Sequence, residues 1–178
     1  LGSSPVDGTQ DVPTNVVVSV QFDEPVSVLS VDGVQIRDGA GQAVTVKRTL
    51  EDANRRLTLT LSKVLRTQSD YRLVMAGVKD LSGNPLQAAP DITFRTGNGP
   101  DLVSPGALTV TPAPGAVGVP VNAVVEVEFS ERVNPLTVTA ETVRLVPSGL
   151  TSGRLPATVE LDATGTVATL RPSLRATR

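Results

Sequence analysis

Val12-Pro13-Thr14-Asn15, then Val16-Val17-Val18-Ser19-Val20-Gln21-Phe22, then Asp23-Glu24-Pro25-Val26 is the stretch that decides the fold, because it occurs twice. The second copy reads Val119-Pro120-Val121-Asn122, Ala123–Phe129, then Ser130-Glu131-Arg132-Val133. Gly8/Gly115, Pro13/Pro120, Asn15/Asn122, Phe22/Phe129, Glu24/Glu131 and Val26/Val133 all lie 107 positions apart. Chance does not hold six matches in one register. A second block, Leu57–Leu61 with Leu65 against Thr166–Leu170 with Leu174, aligns at 109, and the two-residue drift is assigned to a loop, where insertions cost little. A period near one hundred residues is a whole sandwich domain rather than a solenoid repeat.

Outward from that stretch the apolar residues alternate with period two, as in half-buried strands. Val16, Val18, Val20 and Phe22 share one face, opposite Ser19, Gln21 and Asp23; in the second copy Val125, Val127 and Phe129 oppose Glu126, Glu128 and Ser130. Leu57, Leu59 and Leu61, then Tyr71, Leu73 and Met75, then Ile92 and Phe94 do the same. Asp38-Gly39, Asp52-Ala53-Asn54 and Gly83-Asn84-Pro85 supply turn chemistry between the runs. No segment shows a helical stripe. The expectation is all-β.

Pro-x-Asp-Gly8, Val12-Pro-x-Asn15, the Val-rich strand ending in Phe-Asp/Ser-Glu-x-Val, Leu57-Thr-Leu59, Leu65…Tyr71, Asp80-Leu-Ser-Gly-Asn84 and Thr93-Phe-Arg-Thr-Gly97 together resemble the bacterial Ig-like domain of the S-layer-protein type (Big_5). The resemblance covers almost all of copy one and the first two thirds of copy two. It implies tandem immunoglobulin-like β-sandwiches of bacterial surface proteins, adhesins and secreted multidomain enzymes, with no catalytic residue to carry over. The division expected is 1–97 for copy one, 98–108 for a linker and 109–178 for copy two, giving an elongated, bead-like pair.

Copy two stops early. Leu65 to Gly97 spans 32 positions, whereas Leu174 to Arg178 spans four, so the counterparts of Tyr71, the Asp80–Asn84 turn and the Phe94 strand are missing. Three explanations account for this: the native chain continues, the part is disordered, or another chain adds strands at the open edge of copy two. The first is favoured as the simplest to arrange.

Bulk composition narrows the chemistry. Among 178 residues there is no Cys and no His, which removes thiol and imidazole nucleophilic catalysis and the usual zinc sites. Sixteen basic against eighteen acidic residues, net −2, leave no footprint for nucleic acid. Leu102–Val125 is uncharged, yet four prolines forbid a spanning helix, so no membrane insertion is expected. Leu1-Gly2-Ser3-Ser4 reads as the start of a fragment, without a signal peptide.

Carboxylate chemistry remains. Asp23/Glu24 and Glu51/Asp52 are adjacent pairs, and strand neighbours face opposite ways, so they do not converge on one substrate. Asp80, Ser82, Asn84 and Asp91 stand at positions 1, 3, 5 and 12 of a calcium loop. Pro85 occupies the place where such a loop needs Gly, so a tight hairpin closed by Asp80 is the favoured reading and calcium the alternative. Glu24/Glu131 read as repeated surface, Asn15/Asn122 as local backbone partners, and Tyr71 as a tyrosine corner. Phe22, Phe94, Phe129 and Tyr71 are inward, leaving none to stack a sugar or base.

The functional expectation is a non-catalytic structural or adhesive segment of a bacterial cell-surface or secreted protein, extracellular or else periplasmic. It needs no cofactor, and its partner is an unidentified protein or cell surface. The competing expectation is an accessory module of a secreted polysaccharide-degrading hydrolase.

Overall fold

The structure is a computed structural model, which describes residues 1–87, 91–147 and 154–173. Two units divide the chain, Leu1–Leu102 and Val103–Arg178.

In the first unit the alternating runs become eight strands: β1 (Gly2–Ser4), β2 (Thr9–Val12), β3 (Val18–Gln21), β4 (Val34–Asp38), β5 (Val46–Glu51), β6 (Arg56–Leu61), β7 (Asp70–Met75) and β8 (Ile92–Thr96). They form two sheets, β1-β3-β6-β5 and β2-β8-β7-β4. All pairings are antiparallel except β2 with β8. The tight turn Asp52-Ala-Asn54, all three residues at positive φ, lets β5 fold straight back onto β6.

Between the sheets lies an aliphatic core. Val18 and Val20 of β3, Leu57 and Leu59 of β6, and Val34 and Ile36 of β4 are all fully buried. β-branched side chains fit this pleated surface because their restricted χ1 rotamers are compatible with a strand. Each buried side chain of this size contributes about 1.5–3 kcal/mol relative to exposure. Tyr71 closes one end: its ring stacks on Phe94 at 5.7 Å between centroids, and its hydroxyl accepts the Arg66 N–H at 3.0 Å. This is the tyrosine corner expected from Leu65…Tyr71. Tyr71→Phe keeps the ring and removes the acceptor, and should cost about 1 kcal/mol in urea unfolding.

The second unit has β9 (Ala107–Thr111), β10 (Val125–Phe129), β11 (Ala157–Leu161) and β12 (Val167–Pro172), in the single sheet β11-β12-β10-β9. That order repeats β5-β6-β3-β1. Val18 faces Leu59 and Val20 faces Leu57; their counterparts Val125 and Val127 face Leu170 and Ala168. Leu59 to Leu170 is 111 positions, so the second block aligns at 111 and not at 109. A slip of two residues keeps every side chain on its own face, which is why alternation alone did not reveal it. The four extra residues lie between β10, which aligns at 107, and β11, which with β12 aligns at 111 on β5 and β6. Leu174, aligned with Leu65 from sequence, lies outside the described residues.

Both units are built with the same local devices. Gly8 (φ +75°) and Gly115 (φ +81°) take a left-handed conformation that other L-residues reach only with strain. The Phe22 N–H donates to Arg55 O at 2.7 Å, and the Phe129 N–H to Thr166 O at 2.8 Å. Val26 and Val133 likewise donate to Asn54 O and Gly165 O, both at 2.9 Å.

Candidate functional site

The Asp80–Asn84 turn follows β7 and is closed by Asp80 itself. Its Oδ1 accepts the N–H groups of Ser82 and Asn84, both at 2.8 Å, and its Oδ2 accepts the Asn84 side-chain amide at 2.7 Å. Gly83 supplies the positive φ at +92°. These donors stabilise the carboxylate, the Asn84 amide foremost, and hold the Asp80 pKa below its ordinary value. Three of the four candidate calcium ligands, Asp80, Ser82 and Asn84, thus share one turn. Asp91, on the approach to β8, has its Oδ2 3.7 Å from the Arg72 guanidinium. With both Asp80 oxygens already accepting from the turn, the expected result is the same Tm in calcium as in chelator. A higher Tm in calcium would make the turn a cation site.

Two further carboxylates perform the same task. Asp38 Oδ1 accepts Ala40 and Gln42 N–H groups at 3.0 and 2.8 Å. Asp162 Oδ1 accepts Thr166 and Val167 N–H groups, both at 2.9 Å, while the Thr164 hydroxyl donates to Oδ2. That hydroxyl is the chief reason the Asp162 pKa falls to about 2, with the Val167 N–H next. A lowered folded pKa contributes stability above the unfolded value, about 3.9. The contribution disappears as pH falls through about 2. Tm of the second unit should therefore drop between about pH 4 and 2, and Asp162→Asn should flatten that drop in a pH series of thermal melts.

The paired carboxylates singled out from sequence face solvent. Asp23, Glu24, Glu51 and Asp52 are exposed, and Asp52 lies 3.9 Å from Arg56. Glu131 is half-buried where Glu24 is exposed. Among the described residues no three acidic side chains converge into a metal-holding group. An open hollow of about 410 Å³ beside Tyr71 and Phe94 has Asp38 and Asp70 in its lining. Asp38 serves its turn, and Asp70 pairs with Arg95 at 2.9 Å.

Two polar residues have partners that local sequence did not reveal. Asn15 clamps backbone, but 86 positions away: Nδ2 donates to Asp101 O at 2.6 Å and Oδ1 accepts the Asp101 N–H at 2.9 Å. With Thr14 N–H bonded to Gly99 O at 3.0 Å, the start of the 98–108 segment is held by the first unit. Asp7 accepts both the N–H and the hydroxyl of Thr93, at 2.8 and 2.9 Å, latching the turn before β2 onto β8.

A sequence profile of the bacterial Ig-like domain (Big_5) matches residues 1–96 and again 101–177. The chain belongs to that family. The fold is accordingly all-β, tandem Ig-like domains, as the repeat predicts. No curated protein matches the chain. Among solved structures it is similar to CopC from Methylosinus trichosporium OB3b, at 17% identity and TM-score 0.38, covering 58% of this chain and 96% of that one. It is also similar to the S-layer protein rSbsC(31-844), at 18% identity and TM-score 0.42, covering 93% of this chain and 23% of that one. A third is surface layer protein SbsC, domains 1-6, at 17% and 0.42, with 96% and 24% covered. This chain therefore spans about a quarter of these two S-layer chains. At such identities and scores none of the three bears on what this chain does. Among the described residues no helix is long and apolar enough to cross a membrane.

Proposed function

We propose that this chain is a non-catalytic structural segment of a bacterial cell-surface or secreted protein, whose Ig-like modules space other parts or present them to a partner. The observation that carries this reading is what the two copies hold in common. Both keep the positive-φ glycine turn, the Phe and Val N–H bonds to the hairpin, and the inward strand face. Those are scaffold features. The carboxylates with lowered pKa, meanwhile, are engaged in holding turns and loops or in an ion pair. A family of bacterial Ig-like modules, typically non-catalytic, is where such a division between shared scaffold and unshared surface is expected.

Antibodies raised against this chain should label intact cells of the encoding bacterium or its culture medium, and protease added outside should remove the cell-bound label. Labelling that appears only after lysis would overturn the surface reading.

A further inference from the structure

Within the first unit β1 and the 97–101 segment lie toward opposite ends of the sandwich. Gly2 of β1 pairs with Gln21, where β3 closes, whereas Asn15, ahead of β3, holds Asp101 beyond β8. Between those points β2 and β8 run side by side and parallel, with Thr9 opposite Phe94 and Val12 opposite Thr96.

The seam between them extends past both strands. The Gly8 N–H donates to Thr93 O and the Gly97 N–H to Val12 O, both at 2.8 Å. Beyond one end of this ladder Asp7 accepts from Thr93; beyond the other the Thr14 N–H donates to Gly99 O, and Asn15 clamps Asp101. Both side-chain clamps join residues 86 positions apart. The two backbones come close along the seam: a Cβ on Gly97 would lie 3.3 Å from Asp11 C and O. Val12, carried on β2, is 3% exposed and shares the core with Phe22, Tyr71 and Phe94.

We infer that this seam is a mechanical clamp, through which the first unit resists being drawn out by tension along the chain. A pull applied ahead of β1 drags β2 one way, and a pull applied beyond Asp101 drags β8 the other. Because the two strands are parallel, these pulls slide one along the other. Interstrand hydrogen bonds lie across the strands, so sliding loads them together, where a peeling pull would break them singly. β1 is loaded in the same sense, but it has three residues and adds none to the apolar core. Its release leaves β2 in place, whereas separation of β2 from β8 withdraws Val12 and opens the edge of the sandwich. The inference deepens the spacer reading and rests on it for its use: a spacer keeps its length only if its modules stay folded under load.

Stretching the full chain by its two ends at constant force tests the clamp. Unfolding of the first unit is recognised by a gain of about 300 Å, the extended reach of the 94 positions from Asp7 to Asp101. Asp7→Ala and Asn15→Ala should each speed that step about tenfold, since each removes two hydrogen bonds from the seam. Thr93→Val, the milder change, loses only the hydroxyl donor and should speed it about threefold. Asp80→Ala removes three hydrogen bonds within the turn between β7 and β8. It should lower stability in urea as much as Asp7→Ala does. Its rate under load should nevertheless stay within about twofold of the parent, because those bonds persist while the seam gives way. Loaded rates that simply follow urea stability across the four variants overturn the clamp, as do seam variants that unfold under load at the parent rate. The measurement is independent of where the protein resides, so the clamp and the surface reading can fail separately.

Discussion

Phe22→Ala is expected to destabilise the first unit by about 3–5 kcal/mol, and Phe129→Ala, at the same place in the second copy, the second unit by about 1–2 kcal/mol. The two residues follow the same Val-rich run, donate the same backbone bond to the hairpin and point to the same side of the same sheet order. Only their surroundings differ. Phe22 is 2% exposed among residues of both sheets, so truncation removes the transfer free energy of the ring and also leaves a cavity. Phe129 is half-buried beside a single sheet; part of its ring already meets water, and water can enter the space left behind. For a unit of roughly 100 residues the larger loss lowers Tm by about 15 °C or more. Amide-resolved urea titrations separate the units. Equal losses would mean that the face of β10 is as well covered as that of β3.

Legibility in the sequence followed the reach of each interaction. Alternation assigned inward and outward faces correctly along β6, β7 and β8, because the pleat alone sets them, whereas in β3 Ser19, expected to face outward, is only 4% exposed. Tyr71 was legible since its partner, Arg66, lies five positions away. Asp80 was legible for the same reason, its three donors all lying within the next four residues. Asn15 was read as a local backbone partner, whereas it binds Asp101, a pairing that exists only after the chain has closed on itself. The register of the second block failed differently. The 109 and 111 alignments place the same parity of residues inward, and only the ladder partners of Val125 and Val127 tell them apart. Depth of burial was the least legible property. The run ending at Phe129 has the pattern of the run ending at Phe22, yet exposure is set by what lies opposite, which no strand encodes in its own residues.

Gly33→Ala carries the second large effect, and it arises from a contact that an Asp32-Gly33 dipeptide does not announce. Gly33 ends the 3-10 turn Val28–Gly33 and leads into β4; its carbonyl accepts the Ala76 N–H at 3.0 Å, just beyond the Val34–Met75 pair of the β4–β7 ladder. A Cβ at this position would lie 1.6 Å from Ala76 O and 2.8 Å from Ala76 C. Both are backbone atoms, so no rotamer change relieves the overlap, and the chain must separate there. The strands that would part carry Val34, Ile36 and Leu73, all essentially fully buried. Overpacking of this kind costs about 3 kcal/mol or more. Gly41→Ala is the control: Gly41 sits at φ +80° with nothing within 4 Å of the added Cβ, so only its backbone conformation is penalised. That penalty is about 1–2 kcal/mol. Thermal melts of the two variants should therefore differ by about 5 °C or more, with Gly33→Ala the lower. If Gly33→Ala melted no lower than Gly41→Ala, the close approach of β4 to Ala76 would be wrong, and with it the packing of that edge of the sandwich.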